Sequence, residues 1–157
     1  MKSYLDFTPG ITFRTPRRTI TEAHVVGFAG ITGDFYPLHV DEVYAQGTPF
    51  GRRIVHGPLV YSTAVGLMFE SGVYVDDVII AFLGVRELRH LAPCFIGDTV
   101  HVEATVVSAR PTKDGTRGVV AIQYNVIAVD DYRHLMQAEL TFLMHGARSR
   151  VDAEASS

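Results

Sequence analysis

The chain has 157 residues, a formal net charge of −3, and 47% hydrophobic against 20% charged side chains. That length suits one domain with a real core, and the weak acidity gives no general attraction to nucleic acid or to an anionic membrane. A single cysteine, Cys94, excludes an internal disulfide and fits a reducing compartment, with its thiol read as a small apolar filler. The first residues lack the basic-then-apolar order of a signal peptide, and Asp6 and Glu22 interrupt any transit-like basic stretch. No window approaches the roughly eighteen apolar residues of a membrane span. The expected location is the cytoplasm.

In chain order, Pro9-Gly10 and Pro16 bound a short strand near Ile11–Thr15. Thr21 is a good N-cap for a helix from Glu22, whose carboxylate the helix dipole favours in the first turn. Val25, Val26, Phe28, Ala29 and Ile31 would form its apolar side, and Gly33 must stop it. Gly33-Asp34 then enters a tight loop that Pro37 closes before His39, setting an acid and an imidazole five residues apart. A carboxylate and an imidazole sharing one water are what general acid–base chemistry requires. Asp34 and His39 are therefore the catalytic candidates, set against the plainer roles of a turn former and a backbone cap. Tyr36, between them, is either a packing aromatic or a wall of a ligand site.

A helical turn near Asp41–Gln46 and a loop over Gly47–Gly51 lead to His56-Gly57-Pro58. Gly57 as N-cap and Pro58 at the first helical position open a helix that runs to about Ser71, with Gly72 as its end. The free N–H groups and dipole at that start would hold a developing oxyanion, which makes Gly57 the third catalytic candidate. His56 is read as structural, placed by the same turn. Leu59, Val60, Tyr61, Ala64, Val65, Leu67, Met68 and Phe69 wrap the helix almost all round, so burial on every face is expected. Tyr61, Val65 and Met68 share one face, below which an apolar ligand could lie.

From Val78 the period becomes that of strands. Strands are expected at Val78–Leu91, Thr99–Arg110, Val119–Val129 and His134–Met144, with turns at Pro93–Asp98, Lys113-Asp114-Gly115 and Asp130-Asp131. In the second of these, Val100, Val102, Ala104 and Val106 alternate with His101, Glu103 and Thr105. Residues 147–157 lack periodicity and read as a disordered tail after a domain over 1–146. Arg52 and Arg53, with Arg86 and Arg89, are candidates for the phosphates of a nucleotide-bearing ligand. His24, His90, His101, His134 and His145 show no metal-binding spacing, so no metal site is expected. One buried helix followed by long antiparallel strands is an α+β layout.

The segment from Phe28 to Ala45 resembles the signature of the MaoC-like hydratases, the (R)-specific enoyl-CoA hydratases or hydratase 2 family. Asp34, Pro37, Leu38, His39 and Ala45 match its pattern, as do Ile54-Val55-His56-Gly57 and Pro93-Cys94-Phe95-Ile96-Gly97-Asp98-Thr99 in order. The likeness runs from about Phe7 to about Leu143. Tyr36 stands where the family usually has Asn, which bears on the acyl site rather than on the pair. The resemblance implies a hot-dog fold, a curved sheet wrapped round one helix, and a homodimer, or a higher oligomer of dimers, that covers the sheet edge. It implies reversible syn hydration of a trans-2-enoyl thioester, on CoA or on acyl carrier protein, with no cofactor: Asp34 and His39 hold the water, and the Gly57 N–H stabilises the enolate. A hot-dog thioesterase and a non-catalytic acyl-binding domain stay open as rivals.

Overall fold

The computed structural model describes residues 1–75 and 77–147. After a 3₁₀ turn at Tyr4–Asp6 come two short strands, β1 (Thr12–Arg14) and β2 (Arg18–Thr19). Three helices then cross one end of the molecule: α1 (Glu22–Thr32), α2 (Pro37–Val40) and α3 (Glu42–Gln46). The long helix α4 (Gly57–Glu70) precedes β3 (Ile79–His90), β4 (Thr99–Pro111), β5 (Arg117–Ala128) and β6 (His134–His145). The strands form one antiparallel sheet in the order β1-β4-β5-β6-β3, with β2 also pairing to β4. The sheet packs on α4 in the expected hot-dog arrangement.

Alternation builds the core. Along β6, Ala138, Leu140, Phe142 and Met144 are buried between Glu139, Thr141 and Leu143, as a period of two requires. Val60, Ala64, Leu67 and Met68 are the buried residues of α4 and join the same core, which the helix enters against β4 and β5. Leu67 and Met68 are fully buried, each contributing about 1.5–3 kcal/mol of transfer free energy. Gly115 turns the β4–β5 hairpin at φ +72°, a backbone conformation open to glycine.

Four expectations are corrected. Helix α4 is buried on one side only, because the sheet covers one side: Phe69 is 52% exposed, and Pro58 and Ser62 also face solvent. Of the apolar side drawn for α1, only Val25 and Ala29 are buried, while Val26 and Ile31 are exposed. The N-cap of α4 is His56, which moves Gly57 to the first helical position. On β4, His101 does not join the exposed set but is fully buried, its Nε2 3.3 Å from Glu103 Oε1. The tail expected from residue 147 lies, beyond Ala147, outside the described residues.

Candidate active site

Helix α1 ends at Gly33, whose left-handed φ of +77° turns the chain so that Asp34 leaves the helix axis. Asp34 Oδ1 accepts the Tyr36 N–H at 3.2 Å, a short Asx turn that fixes the carboxylate. Pro37 starts α2, and His39 sits in its last turn. His39 Nδ1 is 2.8 Å from the Ile54 carbonyl oxygen, which can only accept, so Nδ1 is the donor and Nε2 is the nitrogen left for other partners. His56 is fully buried, and its Nε2 donates to the Asp34 carbonyl oxygen at 3.0 Å. The His39 and His56 rings stack with centroids 3.9 Å apart, and the Phe28 ring lies 5.1 Å from that of His56.

A carboxylate oxygen of Asp34 and one ring nitrogen each of His39 and His56 lie within 4.8 Å of one another. Those are metal-ligating residue types, but one nitrogen of each ring already donates to a carbonyl. The rings are also nearly parallel, at 28°, so their in-plane lone pairs do not converge on one ion. One water between Asp34 and His39 suits the spacing better. His56 thus does more than the sequence suggested: it holds the Asp34 backbone and backs the His39 ring. The adjacency of His56 to Gly57 was the signal for it.

His39 opens onto a cavity of about 400 Å³. Its walls include Ile54, Gly57, Val60, His90, Cys94 and Leu135, while Asp34 stands exposed at the rim. The Gly57 N–H heads α4 and has no acceptor among the described residues, so it offers a free donor at the positive end of the helix dipole. Burial pushes the Cys94 thiol up to about 12, leaving it protonated and inert as the sequence reading took it.

The other candidates separate. The Tyr36 hydroxyl pairs with that of Tyr44 at 3.2 Å, and the Tyr36 ring meets His39 edge-on with centroids 6.2 Å apart. It braces His39 rather than lining the cavity. Met68 is buried in the core, and Tyr61 and Val65 pack beside it; none of the three borders the cavity. Arg53 donates Nη1 and Nη2 to the two carboxylate oxygens of Glu22 at 2.8 and 2.7 Å, and Nε to Glu42 at 3.0 Å. It ties α1 to α3, and this fork holds the Glu22 carboxyl below its usual range. Arg53 is therefore not set out to meet a phosphate. Arg52 is exposed, its guanidinium 3.8 Å above the Phe95 ring, and Arg86 and Arg89 stay largely open to solvent beside Glu139 and Glu87.

Comparison with known proteins places this geometry. The MaoC like domain matches residues 6–129. The chain is 40% identical over 104 residues to the protein MaoC of Klebsiella aerogenes, covering 66% of this chain and 30% of that protein. It is 38% identical over 91 residues to the (R)-specific enoyl-CoA hydratase of Aeromonas caviae, covering 58% of this chain and 65% of that enzyme. It therefore spans less than two thirds of either relative. A solved structure, the monoamine oxidase regulatory protein from Archaeoglobus fulgius, superposes with a TM-score of 0.85 at 32% identity, covering 93% of this chain and 95% of the other. The matched span holds the signature loop, α4 and strands β1 to β5, and the chain belongs to the MaoC-like domain family.

Proposed function

We propose that this protein is an (R)-specific hydro-lyase acting on a trans-2-enoyl-CoA. The carrying observation is the cluster of Asp34 with His39 beside the free Gly57 N–H at the head of α4. The water oxygen bonds to the β-carbon while Asp34 takes one of the water's protons, and that proton then passes from Asp34, on the same face, to the α-carbon as the enolate collapses. His39, its Nδ1–H held by the Ile54 carbonyl, orients the water through Nε2 and shares in the transfer. As the thioester oxygen gains enolate charge, the Gly57 N–H meets it. Exposed Arg52 is the cation offered to the CoA phosphates.

The working form we propose is a homodimer in the cytoplasm. Support comes from the edge strand β3, where Ile80, Phe82, Leu83 and Leu88 are exposed in the single chain.

The test is to follow crotonyl-CoA for loss of enoyl absorbance and for free thiol, with chiral analysis of the product. The expected outcome is the (R)-3-hydroxyacyl thioester without thiol release. Asp34→Asn and His39→Ala should each lower kcat by about 10³-fold or more, and the double variant should be hardly worse, because the two groups act as a unit. Thiol release would assign the site to thioester cleavage instead. An (S) product, or a single variant near native turnover, would remove the mechanism.

A further inference from the structure

The imidazole of His90 occupies the space a side chain at residue 57 would need. A methyl group on Gly57 would lie 2.6 Å from His90 Nε2, 2.9 Å from Cε1 and 3.1 Å from Cδ2. Distances this similar mean that the ring lies face-on over Gly57, since an end-on ring would set both carbons well behind the nitrogen. A face-on ring leaves the in-plane direction of Nε2 clear of the glycine. His90 closes β3, where pairing with Met136 on β6 fixes its backbone, and it lines the same cavity as His39 and Gly57. Among the described residues neither of its ring nitrogens has a hydrogen-bond partner. Gly57 therefore has two reasons to be glycine: an open N–H, and room for this ring.

We propose that His90 is a second donor at the thioester oxygen, its Nε2–H joining the Gly57 N–H on that one atom as it gains enolate charge. The inference rests on the hydratase reading and extends it by one catalytic residue. Partial burial lowers the proton affinity of His90 below that of an ordinary histidine, while one side of the residue still meets solvent. At neutral pH the ring is then uncharged and has one N–H to give. A neutral donor aimed where charge develops stabilises the transition state more than the ground state, which is what raises kcat. The unpaired nitrogens fit the same reading: they cost little while the cavity holds water and are taken up when the carbonyl arrives.

The test compares His90→Phe, which keeps a ring and removes both nitrogens, with His90→Gln, which returns an amide N–H close to the Nε2 position. Both are made in the full chain and assayed on crotonyl-CoA, with thermal melting to establish folding. His90→Phe should lower kcat by about a hundredfold, the low end for loss of one oxyanion donor, with KM changed by less than about threefold. His90→Gln should recover at least a tenth of native kcat. A second measurement is the carbonyl stretch of crotonyl-CoA bound to the Asp34→Asn protein: adding His90→Gln should keep its downshift, and adding His90→Phe or the smaller His90→Leu should lessen it. Native kcat in His90→Phe, a glutamine variant no better than phenylalanine, or an unchanged stretch would each overturn the assignment of His90 alone. A wild-type protein inactive on every enoyl-CoA tried would overturn the hydratase reading, and this one with it.

Discussion

Strands β6 and β3 lie side by side in one sheet and have opposite fates. Along β6 every second residue from Ala138 to Met144 is buried, and its pairing with β5 runs with one irregularity, between Val126 and Ile127. Along β3 no residue is fully buried, and the register slips three times against β6. Glu87 on β3 takes a positive φ of 50°, and Leu83 is 53% exposed where Leu140 is fully buried. Both strands are rich in apolar residues, so hydrophobicity does not separate them. Position does. β6 has a strand on each side, whereas β3 is the sheet edge, and bulges there bend a strand and re-aim its side chains. One product of that bending is His90, delivered over Gly57 at the end of the strand. The regular strand stabilises the fold, and the irregular one shapes the cavity and offers an apolar border.

The comparison breaks most sharply under truncation. Leu140→Ala should cost about 2–5 kcal/mol, a large-to-small change in a filled core, and lower Tm by roughly 5–15 °C. Leu83→Ala should cost less than about 1 kcal/mol in the isolated chain, since half of the side chain already meets water. Equal costs in thermal melts would mean that β3 is as enclosed in solution as β6, and that the contrast belongs only to the single chain.

Charge at the edge gives the next largest effect. Leu83→Glu places a carboxylate in the apolar border of β3, so a dimer joined there should dissociate. Light scattering at micromolar concentration should show wild type at twice the chain mass and the variant at one, with far-ultraviolet circular dichroism unchanged. A variant that stays dimeric would place the joint elsewhere, and a monomeric wild type would remove the dimer.

Much of the sheet was legible in the sequence because a two-residue period survives translation into burial: β4, β5 and β6 begin and end within two residues of their expected bounds. Gly33 and the Gly57-Pro58 pair were legible too, since a left-handed turn and a helix start each demand particular residues. Strand β2 and helix α2 were not, being two and four residues long and made by tertiary pairing rather than by local preference. The one-sided burial of α4 was missed because apolar content reports what a helix tolerates, not which of its faces a neighbour covers. Asp34 and His39 came from local spacing. The brace from His56, the fork of Arg53 on Glu22 and Glu42, and the approach of His90 to Gly57 join residues from 11 to 33 positions apart, which no local pattern encodes.

Tyr36 should give the smallest effect, and the one most informative about the open side. Its backbone N–H holds Asp34 Oδ1, a bond that any residue other than proline keeps. Its ring braces His39 from the edge, and its hydroxyl is shared with Tyr44. Tyr36→Asn therefore leaves the carboxylate in place and removes the brace, so kcat should fall only a few-fold on every substrate. The small side chain also opens space at the rim near Asp34. There a straight acyl chain gains room, and the ratio of kcat/KM between a long and a short enoyl-CoA should move by about two- to tenfold toward the long one. Tyr36→Phe separates the two roles, because it keeps the ring against His39 and breaks only the hydroxyl pair. It should match wild type in that ratio. If the asparagine variant instead scales every substrate equally, Tyr36 is a support for His39 and reads nothing of the acyl group.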